Sequence, residues 1–291
     1  MTDLPRFERA LHQILWELRE YLPDLVIIGG WVPHLYRKYG GFRTWTLEMP
    51  FTTEVDLLVR PPLPLSGAET IPEILKRSGF EPRSRGRSVA VWTREVEAGE
   101  KVEFLTTHTG TAQQRGQIVP VPNQEGLGAV ALVGLDILHR HRTSLTVPLG
   151  TFEGAIRLAK VSLPRLGAFA INKAITFPYR TPRAAETANP KRGKDLLYLR
   201  DLMAAGEEVI TYIEDDLRKI ARSDPSAERA IRKAHSNIGL ALDGALQGAL
   251  AEVTEAVSVG FGLGAEAALA DVRGHLGDFR MILRDALNRA Q

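Results

Sequence analysis

Apolar residues recur at helical spacing at the start of the chain: Phe7, Leu11, Ile14, Leu15, Leu18 and Leu22, with charged residues between them. Residues three and four apart share one face of a helix, so this spacing predicts an amphipathic helix over 5–22. The pattern then changes. Leu25-Val26-Ile27-Ile28 is a continuous apolar run closed by Gly29-Gly30, which predicts a buried strand and a tight turn. Helical character resumes over 31–39 and stops at Gly40-Gly41,. Residues 42–51, rich in aromatic residues and threonine, read as a loop. Val55-Asp56-Leu57-Leu58-Val59 predicts a second strand, stopped by Pro61-Pro62,. A short helix over 71–78 ends at Gly79. Residues 89–92 and 102–105 predict further strands, with shorter candidates at 118–119 and 145–147.

Beyond about residue 165 the character becomes helical. Residues 169–176 and 194–205 predict helices, and 181–191, with Pro182 and Pro190, a loop between them,. Residues 227–291 are rich in alanine and leucine, with β character only at 257–261. The expected fold is α+β. An N-terminal mixed sheet with flanking helices covers 1–165, and a helical C-terminal domain covers 166–291.

Composition narrows the function classes. The chain carries 37 basic and 35 acidic residues, so no global charge draws it to nucleic acid or membrane and only local clusters could do so. The densest basic stretch is Lys76, Arg77, Arg83, Arg85, Arg87 and Arg94. It suits an RNA or other polyanionic acceptor, or simply a solvated surface. His139-Arg140-His141-Arg142 reads as a solvated face, and the histidines show no metal-ligand spacing,. The absence of cysteine excludes disulfides, thiolate metal sites and cysteine nucleophiles, and fits a reducing compartment,. Residues 1–21 contain no apolar signal-peptide core, and the longest apolar stretch, 126–138, is too short to span a bilayer,. A cytoplasmic protein with no membrane partner is expected.

The candidate chemistry lies in Thr52-Thr53-Glu54-Val55-Asp56. On a strand, residues i and i+2 point to one face, so Glu54 and Asp56 project together. Two such carboxylates repel unless a proton or a cation compensates. All-oxygen ligands favour Mg²⁺ or Mn²⁺. Glu103, in the run Val102-Glu103-Phe104-Leu105, would bring a third carboxylate if its strand lay beside the first. A solvated acidic pair at a strand start shows the same pattern. Ile27-Ile28-Gly29-Gly30-Trp31 predicts strand, turn and helix, an arrangement whose backbone N–H groups can approach a phosphate,. It is neither a Walker loop nor a dinucleotide fingerprint.

In their order, these segments resemble the nucleotidyltransferase superfamily. Its pattern is a strand, Gly-Gly or Gly-Ser, a helix, a Thr-x-Asp-x-Asp segment and a later acidic strand residue. More narrowly, the chain is similar to the bacterial branch that includes AbiE-type toxin nucleotidyltransferases. There, a segment like Val161-Ser162-Leu163-Pro164 leads into a helix with a lysine, here Lys173, and a Lys-Asp pair follows, here Lys194-Asp195. The resemblance covers roughly 24–203. It implies a polymerase-β-like fold and Mg²⁺-dependent transfer of a nucleoside monophosphate from an NTP. Glu54, Asp56 and Glu103 would be metal ligands and catalytic carboxylates. Gly29, Gly30, Thr52, Lys173, Lys194 and Asp195 would bind the nucleotide.

The implied acceptors are tRNA ends, proteins or small molecules, and an antitoxin partner is implied for a toxin of a type IV pair. A surface lysine would also account for Lys173, and a helix start for Lys194-Asp195. Two departures stand out: Trp31 follows Gly30 where a serine is common, and Glu54 and Glu103 stand where aspartates are usual. A nucleotide-binding protein with a weakened site, or a helical interaction protein, is the alternative.

Overall fold

A computed structural model describes residues 4–45, 54–84, 87–95, 99–108, 116–152, 155–179 and 191–289. The chain divides into two compact units. One comprises Met1–Leu35 with Phe51–Pro164, the other Tyr36–Pro50 with Arg165–Gln291.

The first unit is built on one mixed sheet. Its strands are β1 (Val26–Ile28), β2 (Glu54–Leu58), β3 (Glu81–Pro82), β4 (Val91–Arg94), β5 (Glu100–Thr107), β6 (Ile118–Pro120), β7 (Gly128–Leu132), β8 (Arg142–Phe152) and β9 (Ala155–Pro164). The main path runs β3-β4-β5-β2-β1-β9-β8, and β7 also pairs β5, with β6 beyond it. Strand β2 is central, antiparallel to β1 and parallel to β5. Of the helices, α1 (Leu4–Glu17) ends earlier than the apolar spacing predicts, but Leu18 and Leu22 are still buried in the turns that follow. Helix α2 is Trp31–Tyr39, and α3 (Ile71–Arg77) starts with a capping box between Thr70 and Glu73.

Residues 257–261, read as having β character, are helical, because the segment continues an alanine-rich helix, and two further features were not part of the expected element order. The apolar stretch 126–138 divides into β7 and a short helix α4 (Asp136–Arg140). Strands β8 and β9 form a long hairpin where only 145–147 was expected as a strand. The two strands carry many polar residues and lie half-exposed, with Ile156 and Leu158 more than 60% exposed, so little continuous apolar signal marks them. Arg157 covers Trp16 of α1, its guanidinium carbon 3.9 Å from the ring centroid, a cation–π contact that shields an aromatic surface.

The second unit is helical: α5 (Leu166–Thr176), α6 (Lys191–Ala204), α7 (Glu207–Ser223), α8 (Pro225–Leu242), α9 (Gln247–Phe261) and α10 (Ala265–Asn288). Helix α5 is buried from Leu166 to Ile175, because α6, α7 and α8 all pack against it. Close approach requires small residues. A Cβ at Gly167 would meet the Asp216 Cβ at 2.8 Å, and one at Gly193 would meet the Glu252 Cβ at 2.6 Å. Asn237 on α8 donates to the Ala174 carbonyl at 2.9 Å, satisfying polar atoms at the end of α5,. Among the described residues no single helix is long and apolar enough to cross a membrane; α9 and α10 meet that test only as a pair bent by 114°.

Candidate functional site

Strand β2 has two unlike faces. Val55 and Leu57 point into the core, as do Val102 and Phe104 of neighbouring β5. Alternation then forces Glu54 and Asp56 of β2, and Lys101 and Glu103 of β5, onto the opposite face. The parallel register sets Glu54 beside Lys101 and Asp56 beside Glu103. One carboxylate oxygen from each of Glu54, Asp56 and Glu103 lies within 4.8 Å of the others.

At an effective dielectric of about 20, two unit charges about 5 Å apart repel by roughly 3 kcal/mol. Water screens this more at Glu54, 40% exposed, than at Glu103, 22% exposed,. Lys101 supplies compensation within the chain. Its ammonium lies 3.0 Å from Glu54 Oε2 and 3.3 Å from Glu103 Oε2. Partial burial works against its charge, but the Glu103 and Glu54 carboxylates outweigh that and raise its pKa above the ordinary lysine value,. The motif reading did not include Lys101, although its place two residues before Glu103 puts it on the same face.

The glycine turn is built around the same cluster. Ile28 at the end of β1 pairs with Asp56. Gly29 follows with φ +73°, a left-handed backbone that favours glycine,. A Cβ there would overlap Asp56 Oδ2 and come 3.1 Å from its Cγ, so the carboxylate rests against bare backbone. Gly30 is buried, and α2 begins at Trp31. The Trp31 indole N–H donates to the Glu54 carbonyl at 3.0 Å, tying the start of α2 to the start of β2. Gly29→Ala is therefore expected to cost about 1–2 kcal/mol from the left-handed backbone and to displace the Asp56 carboxylate. A chemical denaturation series reads the first effect. An unchanged midpoint would contradict the left-handed conformation of Gly29.

Thr52 lies outside the described residues. Lys173, Lys194 and Asp195 belong to the helical unit. Lys173 and Asp195 are both buried, with Lys173 Nζ 3.0 Å from Asp195 Oδ1. The Thr176 hydroxyl donates to the other Asp195 oxygen at 3.1 Å. The Lys173 ammonium also lies 5.0 Å from the Tyr198 ring centroid and 5.2 Å from that of Phe169, and Lys194 Nζ lies 5.9 Å from the Tyr198 ring. Lys173 is thus no surface lysine, and Asp195 sits one turn inside α6.

In the basic stretch, Arg94 pairs with Glu100, and Arg77 with Glu69 and Glu17, so two of its cations are already neutralised; Arg85 lies outside the described residues. His34 is buried and packs edge-on to Trp31, 5.4 Å between centroids.

A family model described as nucleotidyltransferase matches residues 10–221. The match spans the glycine turn, all three carboxylates and the Lys173–Asp195 pair, and ends before α8. Comparison with curated proteins and with solved structures gave no match.

Proposed function

Because the chain belongs to the nucleotidyltransferase family, we propose that it transfers a nucleoside monophosphate from an NTP to a hydroxyl acceptor at the Glu54–Asp56–Glu103 cluster. The observation that carries this reading is the convergence of three carboxylate oxygens within 4.8 Å of one another on one sheet face. The donor set is all oxygen, which fits a hard divalent cation, Mg²⁺ or Mn²⁺. When bound, such an ion neutralises charge on the triphosphate and on the leaving pyrophosphate. Glu54 and Asp56 would hold such an ion, with Asp56 seated against Gly29.

The reaction breaks the bond between the α-phosphorus and the bridging oxygen to the β-phosphate, and forms one from the acceptor oxygen to the α-phosphorus. Glu103 takes the acceptor proton. Gly29, Gly30 and Thr52 contact the nucleotide phosphates in this reading. The nucleotide-binding role of Lys173, Lys194 and Asp195 rests on the family resemblance. So do the acceptor class, whether RNA, protein or small molecule, and the toxin role with an antitoxin partner; a cytoplasmic location rests on the absence of cysteine and of an apolar N-terminal segment in the sequence.

Lys101 favours a second reading, because an ammonium between two carboxylates is also what a site without a metal would keep. In that case NTP is bound but not turned over. Parallel incubations with α-labelled and γ-labelled NTP, divalent ion and a cellular extract of RNA and protein separate the two. Nucleotidyl transfer leaves the α-label on the acceptor and releases the γ-label as pyrophosphate. Transfer of the γ-label would instead mean kinase chemistry, and NTP binding by calorimetry with no label transferred would favour the second reading.

A further inference from the structure

We propose that Lys101 takes the place of a second metal ion, so that the centre operates with one divalent cation and one fixed ammonium. This rests on the metal-dependent reading of the Glu54–Asp56–Glu103 cluster given above. Three convergent carboxylates offer enough oxygens for two ions about 3.5–4 Å apart, the arrangement that clamps both the attacking and the leaving oxygen in two-metal centres. Here one of those positions is taken by a covalently held cation. Lys101 Nζ contacts one oxygen of Glu54 and one of Glu103 at 3.0 and 3.3 Å.

The position is imposed by the fold. Lys101 sits beside Glu54 in the β2–β5 register and two residues before Glu103 on β5. Its neighbour Val102 is fully buried, so Lys101 can leave this face only if β5 shifts its register. The side chain is also only 19% exposed, which limits the swing of its ammonium into water.

Charge balance points the same way. Before nucleotide binds, three carboxylates carry −3. Lys101 brings this to −2, and one divalent ion brings it to zero. A second divalent ion would leave an uncompensated +2 on a half-buried face, which a low-dielectric surrounding penalises. The arrangement also leaves Glu103 unneeded as a ligand to a second ion, and therefore available to accept the acceptor proton. Lys101 acts here as a positioning residue: it sets the number and place of the cations.

The test is a Mn²⁺ titration of the full chain without nucleotide, with free Mn²⁺ followed by electron paramagnetic resonance. The proposal predicts one Mn²⁺ per chain for the wild type, two for Lys101→Met and for Lys101→Gln, one for Lys101→Arg, and none for Asp56→Ala. Thermal unfolding of each variant confirms that the fold persists, and the glutamine variant serves if the methionine variant does not fold. Two ions bound to the wild type, or one bound to both neutral variants, would overturn the role of Lys101 while leaving the metal site intact. No ion bound to the wild type would overturn both that role and the metal-dependent reading.

Discussion

Asp56→Asn is expected to lower nucleotide transfer by about three orders of magnitude while leaving the thermal midpoint near that of the wild type. Asparagine keeps the shape of the side chain that rests on Gly29, and the residue is half-exposed, so no core packing is lost. It also removes one charge from a crowded cluster of three, which relieves repulsion instead of adding to it. What disappears is the anionic oxygen at the centre of the site, since Asp56 is paired with Ile28 on one side and Glu103 on the other.

A bound divalent ion contributes several kcal/mol of charge stabilisation to the transition state. At 1.36 kcal/mol per tenfold in rate, a loss of that size is about 10³-fold. Initial rates of α-label transfer give the ratio directly. A loss of less than tenfold would show that Asp56 is not a ligand on which the chemistry depends.

Lys173→Met is expected to destabilise the protein by about 3–5 kcal/mol, the usual cost of breaking a buried ion pair from one side. Lys173 and Asp195 join α5 to α6 inside the helical unit, 6% and 2% exposed at their side chains. Removing the ammonium takes away the cation that balances the Asp195 carboxylate, and a buried carboxylate without its counter-charge is costly. The loss comes from the charge left behind, so the double variant Lys173→Met with Asp195→Leu is expected to regain most of it. Urea unfolding of the four forms gives the coupling. A single-variant loss below about 1 kcal/mol, the range of exposed pairs, would contradict the buried ion pair. Nucleotide affinity measured on Lys173→Arg, which keeps the charge, tests separately whether the pair also serves the nucleotide.

The sequence was most legible where local chemistry punctuates it. Helix α2 runs from Trp31 to Tyr39 as expected, because Gly29-Gly30 and Gly40-Gly41 bound it and glycine stops are read without knowledge of the fold. The α+β class followed from the same kind of signal, with short β-branched runs early and alanine-rich helical spacing late. The shared direction of Glu54 and Asp56 followed from strand alternation alone. Their meeting with Glu103 depended on β2 and β5 being neighbours, and the residue-by-residue register came only with the fold.

Other features were hidden because their cause is not local. The compensation supplied by Lys101 depends on the β2–β5 register. The β8–β9 hairpin is half-exposed and polar on much of both strands, so apolar alternation is weak there. Helix α4 is five residues at the end of an apolar run that otherwise forms a strand. Helix α7 carries a stripe at helical spacing, Val209, Ile213, Leu217 and Ile220, all buried, so its signal is local and present in the sequence. The burial of Lys173 could not be read at all, since helix lysines are mostly exposed and only a partner on another helix changes that.

The most direct test of the central claim is transfer of α-label from NTP to acceptor, measured against Mg²⁺ or Mn²⁺ concentration for the wild type, Glu54→Gln, Asp56→Asn and Glu103→Gln. The account predicts no transfer by the wild type in chelator, saturable activation by the divalent ion, and loss of activity in each variant at wild-type thermal stability. Transfer that persists in chelator, or that proceeds at the wild-type rate in Asp56→Asn, would contradict it.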